Sequence, residues 1–245
     1  GIVGYIGNKN AAPILIKALK KLEYRGYDSA GIAVYTGEEI LVQKAKGKLK
    51  NLGEKITGQV IPENLKDDEF TKFEMSLYEK TGDIIKGNLG IGHTRWATHG
   101  EPSDLNSHPH TNMEGSISIV HNGIIENYAD LKAKLQSEGI VFKSQTDTEV
   151  VVHLIDKYYK EEKDIFKAVL KVLHVIEGSY ALGVICRDYP DRIICCRKES
   201  PLVIGLGKGE NFIASDVPAI LEHTREVYYL GEKELAVLYS DHVDL

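Results

Sequence analysis

The order of strand-like and helical segments constrains the fold of this 245-residue chain more than any other feature of its sequence. Short apolar segments of β type open the chain and fill its last third, whereas amphipathic helical patterns are concentrated between them. A repeating βαβ sheet would instead alternate strands and helices along the whole chain. The order therefore predicts an α+β layered fold, in a single domain that covers residues 1–245.

The predicted elements are short, and polar or glycine-containing turns separate most of them. A first helix is expected after Asn10, which is a good N-cap residue. The segment 46–88 has a Lys- and Glu-rich helical pattern and is interpreted as a solvated excursion at the surface. Further helices are predicted at 126–137, 148–159 and 165–176, and strands at 1–7, 30–35, 40–45, 90–93, 116–120, 180–187, 192–197, 202–206, 211–214, 226–230 and 235–239.

Net charge and cysteine usage exclude several classes of partner. The chain has 36 acidic and 30 basic residues and a net charge of -6. Nucleic-acid and anionic-membrane surfaces require clustered Lys and Arg, so neither partner is expected. No apolar run approaches the roughly 18 residues of a membrane span.

The cysteines are too few and too closely spaced for a disulfide framework, which predicts inert packing and a cytoplasmic location; they are Cys186, Cys195 and Cys196.

The first of three chemically unusual segments is His-Thr-Arg-Trp-Ala-Thr-His-Gly at residues 93–100, which follows a predicted strand. A guanidinium group can bind a carboxylate or phosphate through two parallel hydrogen bonds, so Arg95 is a candidate ligand-binding residue. Stacking of Arg95 on Trp96, or a buried salt bridge, explains the same residues equally well from sequence alone.

The second segment is His121-Asn122-Gly123, at the end of a predicted strand. An Asn-Gly pair usually forms a hairpin turn, but residues 124–137 follow a helical pattern and not that of a second strand. The side-chain amide of Asn122 and the backbone N–H of Gly123 could instead both donate hydrogen bonds to one developing oxyanion.

The third segment, Ser-Gln-Thr-Asp-Thr-Glu at residues 144–149, precedes an apolar helical pattern. Thr146 and Asp147 are good N-cap residues with Glu149 close behind, and a helix cap is the interpretation that the residues alone favour. An aspartate at this place can also bind a substrate ammonium group, so Asp147 stays a candidate for ligand binding.

A concentration of histidines within residues 93–121 raises the alternative of a metallohydrolase. His108 and His110 would bind the metal together with Asp147 or Glu149. The sequence lacks the His-Glu-x-x-His and Cys-x-x-Cys spacings that are typical of zinc sites, so we predict neither a metal ion nor a cofactor.

Together, these segments resemble the glutaminase domain of glucosamine-6-phosphate synthases, the glutamine–fructose-6-phosphate aminotransferases of the N-terminal nucleophile hydrolase family. The resemblance implies a four-layer αββα sandwich and hydrolysis of the glutamine side-chain amide to glutamate and ammonia. In the full enzymes, sugar-isomerase domains, absent from residues 1–245, use the ammonia to convert fructose 6-phosphate to glucosamine 6-phosphate. The matching blocks keep the family's order and span nearly the whole chain: residues 1–4, 22–31, 93–102, 120–127, 144–149, 200–207 and 210–216.

The resemblance also implies how L-glutamine would be bound. Arg95, assisted by Thr98 and His99, would bind the α-carboxylate of the substrate. Asp147 and the backbone of Gly123 would bind its α-ammonium group. These roles make ligand binding, and not helix capping, the expected function of Asp147.

For catalysis, the resemblance implies an oxyanion hole formed by Asn122 and the N–H of Gly123. Trp96 would belong to a loop that closes over the substrate, and Arg25 would brace the site. Family members begin with a cysteine whose thiolate attacks the amide while its own α-amino group, with an ordinary pKa of about 8, acts as the base. Gly1 matches the family's second residue, so we expect a cysteine immediately before it. Without that cysteine the chain would be a glutamine-binding module that cleaves nothing.

Overall fold

The computed structural model describes residues 1–245 and contains two antiparallel sheets and six α-helices. The helices are α1 (Ala11–Lys20), α2 (Leu49–Thr57), α3 (Asp67–Ile84), α4 (Tyr128–Ser137), α5 (Thr148–Glu162) and α6 (Ile165–Leu173). The strands are β1 (Ile2–Ile6), β2 (Ser29–Tyr35), β3 (Ile40–Lys46), β4 (Leu89–Arg95), β5 (His110–Thr111), β6 (Ile117–Ile125), β7 (Gly178–Cys186), β8 (Tyr189–Lys198), β9 (Val203–Leu206), β10 (Asn211–Ala214), β11 (Val227–Tyr229), β12 (Leu235–Leu238) and β13 (Val243–Asp244). None of the helices has both the length and the apolar character needed to cross a bilayer.

The first sheet has the strand order β11-β9-β10-β1-β4-β2-β3, and the second has the order β13-β12-β8-β7-β6-β5. All five residues of β1 are buried, which explains why this strand is an unbroken apolar run and not an alternating pattern. Its neighbours come from distant parts of the chain, because Ile2 lies opposite His93 of β4 and Val3 lies opposite Ala214 of β10. The amino-terminal segment is therefore central in its sheet.

The two sheets pack face to face, and helices cover both outer faces. Apolar side chains of the first sheet, such as Ile2 and Ile91, form one cluster with Val120 and Ala181 of the second. A second cluster joins the outer face of the first sheet to α1, α2 and α3, and a third joins the second sheet to α4, α5 and α6. The predicted α+β fold with four αββα layers is confirmed.

The interpretation of residues 46–88 as a solvated excursion is wrong. Leu49 and Leu52 of α2 and Tyr78 of α3 are fully buried in the cluster that covers the first sheet. Their helical spacing gives each helix a narrow apolar stripe, which abundant Lys and Glu on the other faces obscure in the sequence. These two helices form part of an outer layer of the fold.

Two local predictions also need correction. Strand β6 was expected to end at residue 120, but it continues to Ile125 through Asn122 and Gly123, and it pairs with β7 along this whole length. Asn10 occupies the N-cap of α1 without a side-chain cap; its side chain instead donates to Gly82 O and accepts from Gly87 N. The short strands β5 and β13 were not predicted from the sequence.

The cysteines are free and buried in the second sheet, as expected for packing residues. Burial raises the pKa of the Cys186 thiol to about 11 and that of Cys195 to about 12. Thiols with such pKa values are almost entirely protonated at neutral pH, so they are poor nucleophiles. The prediction of inert cysteines agrees with this environment.

Candidate active site

A polar cavity of about 260 Å³ opens where β1 begins and β4 ends. The first sheet supplies residues from these two strands, and the second sheet supplies the segment 121–123 of β6. The start of α5 closes another side. The lining residues are Gly1, Arg25, His93, Thr94, Arg95, Trp96, Thr98, His108, His121, Asn122, Gly123, Thr146, Asp147, Thr148, Ser200, Pro201 and Ser215.

The cavity brings together residues that lie more than 120 positions apart in the sequence, from Arg25 to Asp147. Of the site residues predicted from the sequence, only His99 does not line it, and the His99 Nδ1 atom lies 3.9 Å from Asp147 Oδ1. Sequence reasoning missed a set of polar lining residues, although Ser200 and Ser215 fall within the blocks that carry the family resemblance. The predicted residues that do line the cavity are Arg25, Arg95, Trp96, Thr98, Asn122, Gly123 and Asp147.

Gly1 lies in the cavity wall in the position of a regular strand residue. Its nitrogen donates to Thr94 O at 2.7 Å, and Thr94 N donates to Gly1 O at 3.0 Å. A Cβ atom on Gly1 would lie 2.8 Å from Leu22 Cδ1, which explains why glycine occupies this position. Burial of the Gly1 nitrogen and the nearby charge of Arg25 favour an uncharged nitrogen at this place, as in a peptide bond to a preceding cysteine.

Asn122 and Gly123 lie side by side in β6 at the cavity wall. The Oδ1 atom of Asn122 is 2.9 Å from His93 Nε2. Gly123 has a φ of 112°, and a Cβ atom there would lie 2.3 Å from Ser179 O. Only glycine fits this backbone conformation and this close approach to β7.

Arg95 is buried at the end of β4 and anchors the loop that follows it. Its Nη1 donates to Glu101 O at 3.4 Å, and its Nη2 donates to Gly100 O at 3.0 Å and to His99 O. No carboxylate forms a salt bridge with Arg95, and Trp96 packs edge-on against Tyr27 at 5.4 Å between ring centroids. Both alternatives considered for Arg95, stacking on the tryptophan and a buried salt bridge, are therefore wrong.

Asp147 occupies the N-cap position of helix α5, but its side chain forms no cap hydrogen bond there. Its Oδ2 accepts a hydrogen bond from Ile125 N at 2.8 Å, so it joins the end of β6 to the start of the helix, while Oδ1 faces His99. The helix does begin directly after Asp147, as the helix-cap interpretation of the segment 144–149 predicts, but no side-chain cap bond forms at Asp147. The carboxylate is almost fully buried at the cavity wall, where a cation can pair with it.

Glu149 organises the loop that leads to Asp147. Its carboxylate accepts from Lys143 N at 2.8 Å, from Ser144 N at 2.7 Å, from Ser144 Oγ and from His153 Nε2 at 3.2 Å. Burial opposes ionisation of this carboxyl group, but the hydrogen bonds from His153, Ser144 and two backbone amides lower its pKa to about 2. Sequence reasoning treated Glu149 only as part of a cap or a metal site.

Arg25 supports the cavity from outside the two sheets. Its Nη2 forms a salt bridge with Asp216 Oδ2 at 3.0 Å, and the Tyr24 hydroxyl donates to the same oxygen at 2.7 Å. The guanidinium also reaches the cavity next to Gly1, and its bracing role stays a prediction.

Four of the five histidines of segment 93–121 pack ring against ring and do not converge on a common point, whereas His99 packs on Tyr128. The rings of His93 and His108 are 4.1 Å apart and nearly parallel, and His110 lies edge-on to His108 at 4.9 Å. Burial lowers the pKa of each of these rings, so they are neutral. The structure contains no group of three or more His, Cys, Asp or Glu side chains placed to hold a metal ion. This geometry does not favour the metallohydrolase alternative.

Comparison with known proteins identifies relatives of this cavity-bearing chain. The sequence model of the glutamine amidotransferase domain matches residues 93–222. The chain is 53% identical to the glutamine–fructose-6-phosphate aminotransferase (isomerizing) of Clostridium tetani, over 100% of this chain and 36% of that protein. It is 46% identical to the enzyme of the same name from Thermococcus kodakarensis, over 98% of this chain and 36% of that protein. The chain thus spans about a third of the length of these curated relatives.

Solved structures support the same relationship. The fold is similar to that of a glutamine phosphoribosylpyrophosphate amidotransferase from B. subtilis, solved with ADP and GMP, with a TM-score of 0.73 and 25% sequence identity. The match covers 99% of this chain and 48% of that one. The family model includes the loop after Arg95, the Asn122-Gly123 pair and Asp147, so the match extends over most of the cavity wall. This chain belongs to the glutamine amidotransferase domain family.

Proposed function

We propose that the chain hydrolyses the side-chain amide of L-glutamine to glutamate and ammonia. The observation that carries the proposal is the composition of the cavity wall: a guanidinium, a carboxylate and an Asn-Gly donor pair face one polar space of about 260 Å³. A free amino acid presents a carboxylate, an ammonium group and, in glutamine, an amide carbon that becomes an oxyanion during hydrolysis. The cavity offers one complementary group for each of these.

Substrate recognition would depend on Arg95 and Asp147. A guanidinium has five N–H donors. Three of the donors of Arg95 serve backbone carbonyls of the following loop, and the positive charge and a remaining donor would bind the α-carboxylate, assisted by Thr98 and His99. Asp147 keeps Oδ1 for the α-ammonium group after Oδ2 has bound Ile125 N, and the backbone of Gly123 would complete that contact.

The chemical step would use the thiol of a cysteine bonded to the nitrogen of Gly1. The α-amino group of that cysteine takes the thiol proton as sulfur attacks the amide carbon, and Asn122 Nδ2 and Gly123 N stabilise the oxyanion. The C–N bond then breaks, the amine returns the proton and ammonia leaves. Water hydrolyses the resulting thioester to glutamate and restores the thiol.

The ammonia would be used by parts of the protein outside residues 1–245. The curated relatives are about three times longer than this chain and are named glutamine–fructose-6-phosphate aminotransferases. We therefore propose that sugar-isomerase domains of the same protein transfer the ammonia to fructose 6-phosphate and form glucosamine 6-phosphate. Trp96, which is exposed in the loop beside the cavity, would cover the substrate during this transfer. The cytoplasmic location expected from the cysteines stays a prediction.

An N-terminal sequence determination combined with a glutaminase assay tests this function. The expected result is a cysteine before Gly1, one glutamate released per glutamine consumed, and complete loss of release when that cysteine is replaced by alanine. A protein that binds glutamine but begins at Gly1 and releases no glutamate would be a binding module. Activity that disappears on exhaustive chelation and returns with a metal would support the metallohydrolase instead.

A further inference from the structure

His93 is the one side chain of the cavity that links the two sheets directly at the proposed oxyanion hole. It belongs to β4 of the first sheet, and its Nε2 lies 2.9 Å from Oδ1 of Asn122 in β6 of the second sheet. The imidazole is almost fully buried, and the proposed reaction does not use it as an acid, a base or a nucleophile.

The surroundings of the ring indicate which nitrogen of His93 carries the proton. Nε2 lies 2.9 Å from the Asn122 amide, whereas Nδ1 is buried with no partner, so a proton on Nε2 is the arrangement that leaves no buried N–H without an acceptor. Because burial lowers the pKa of the ring, His93 is neutral and has a single N–H. Its Nδ1 therefore has no proton, and it has no hydrogen-bond partner.

The same contact decides which end of the Asn122 amide faces the cavity. The oxygen and the nitrogen branch from the same carbon in different directions, so an oxygen that faces His93 turns the NH₂ group away from the histidine. If the amide were rotated by 180°, its oxygen would face the developing oxyanion and repel it. The rotated amide would need Nε2 without its proton, and the proton on Nδ1 would then be buried with no acceptor. Nor can the ring of His93 easily turn to present its other edge, because it stacks on His108 at 4.1 Å and 15° from parallel.

We propose that His93 is a positioning residue that holds the Asn122 amide with its NH₂ group toward the cavity, ready to stabilise the oxyanion. This inference rests on the proposed hydrolysis of glutamine. A role limited to orientation predicts an effect on the transition state and little effect on substrate binding, since the oxyanion exists only during the reaction.

The test uses the full-length encoded protein and two replacements of His93 by amide side chains of different length. In His93→Gln the terminal amide nitrogen can occupy the place of Nε2 and donate to Asn122, whereas the shorter side chain of His93→Asn places its amide near the position of Nδ1. We expect His93→Asn to lower kcat at least tenfold, toward the 10²–10³-fold loss typical of a missing oxyanion donor, with KM for glutamine changed less than about twofold. His93→Gln should keep kcat within about threefold of the wild type.

Two further variants separate orientation from general damage to the fold. Adding His93→Asn to Asn122→Ala should cause no further loss of kcat, because the histidine would act only through that amide. His223→Asn, at a histidine that stacks on Phe212 outside the cavity, should leave kcat unchanged. The pH profile of kcat should keep its shape in His93→Gln, because the ring transfers no proton.

The possible failures are distinguishable. A wild-type protein that releases no glutamate would overturn the proposed function itself. An active wild type in which His93→Asn and His93→Gln have equal kcat, or in which the double variant is at least tenfold slower than Asn122→Ala alone, would overturn the role of His93. If His93→Asn unfolds at the assay temperature, the glutamine variant decides alone: a folded His93→Gln with a tenfold loss of kcat contradicts the inference.

Discussion

Replacement of Glu149 by glutamine should destabilise the protein and remove part of its sensitivity to acid. The carboxylate accepts four hydrogen bonds, from Lys143 N, from the backbone and hydroxyl of Ser144 and from His153. A glutamine side chain has a single acceptor oxygen. Whichever way its amide is turned, its NH₂ group faces donors that the carboxylate had bound, and these buried donors lose their acceptor.

The expected loss in the free energy of unfolding follows from the pKa of the Glu149 carboxyl group. Folding lowers the pKa of Glu149 from its ordinary value of 4.5 to about 2, because hydrogen bonds to the ionised form outweigh the opposing effect of burial. A difference of this size corresponds to about 3 kcal/mol of stability at neutral pH. Since the pKa is lower in the folded state, this contribution is complete above pH 4.5 and is lost as the pH falls from 4.5 through about 2.

Urea denaturation between pH 2 and pH 7 measures both effects. At pH 7, Glu149→Gln should lower the free energy of unfolding by about 3 kcal/mol, and the wild type and the variant should converge as the pH approaches 2. Glu161→Gln, an exposed replacement on the same helix, is the matched control and should shift the curve by less than about 0.5 kcal/mol. A constant difference between wild type and Glu149→Gln across the whole range would refute the reasoning, because it would show that ionisation of this carboxyl group is not coupled to folding.

Three other outcomes follow from the cavity and the second sheet. Gly123→Ala should lower kcat at least 100-fold and should also lower the melting temperature, because the new Cβ atom would lie 2.3 Å from the carbonyl oxygen of Ser179 in β7. The control Gly115→Ala, where φ is also positive but the Cβ atom would meet open space, should keep full activity. Arg95→Ala should weaken glutamine binding at least 100-fold, seen as a raised KM, whereas Lys66→Ala at the exposed start of α3 should not; equal KM values in the two variants would mean that the carboxylate binds elsewhere. The three buried cysteines should resist iodoacetamide at pH 8 until the protein is denatured, as mass spectrometry of the labelled peptides can show, and labelling of any of them in the folded protein would contradict their high pKa values.

The sequence was sufficient to predict the layered fold and the three segments of the cavity, because these depend on local patterns and on short motifs. Prediction failed where long-range pairing overrides local preference. The sequence predicts a strand that ends at residue 120 and a helical pattern from 124, yet β6 continues through Asn122 and Gly123 because Ile125 and Gly178 keep the pairing with β7 in register. No pattern within residues 116–137 alone contains that information.

The role of Glu149 was missed for a related reason. An acidic residue in the first turn of a helix is usually explained by the helix itself, through capping or the helix dipole. Here its partners are Lys143 and Ser144, which lie before the helix, and His153 one turn later on α5. Only the folded backbone shows that the loop curls around the carboxylate, so the sequence pattern could not distinguish this arrangement from a cap.

The central position of β1 has a consequence for the order in which the protein is made. Ile2 N donates to Ser215 Oγ, 213 positions later in the chain, and Ser215 N donates back to Ile2 O. At about 5–20 residues per second, a ribosome needs roughly 10 to 40 s to add those residues. During this time one edge of β1 has no partner, and the cavity wall lacks Ser200 and Ser215. A nascent chain therefore cannot complete this site early, and the proposed release of ammonia would have to wait until Ser215 has been synthesised and folded against β1.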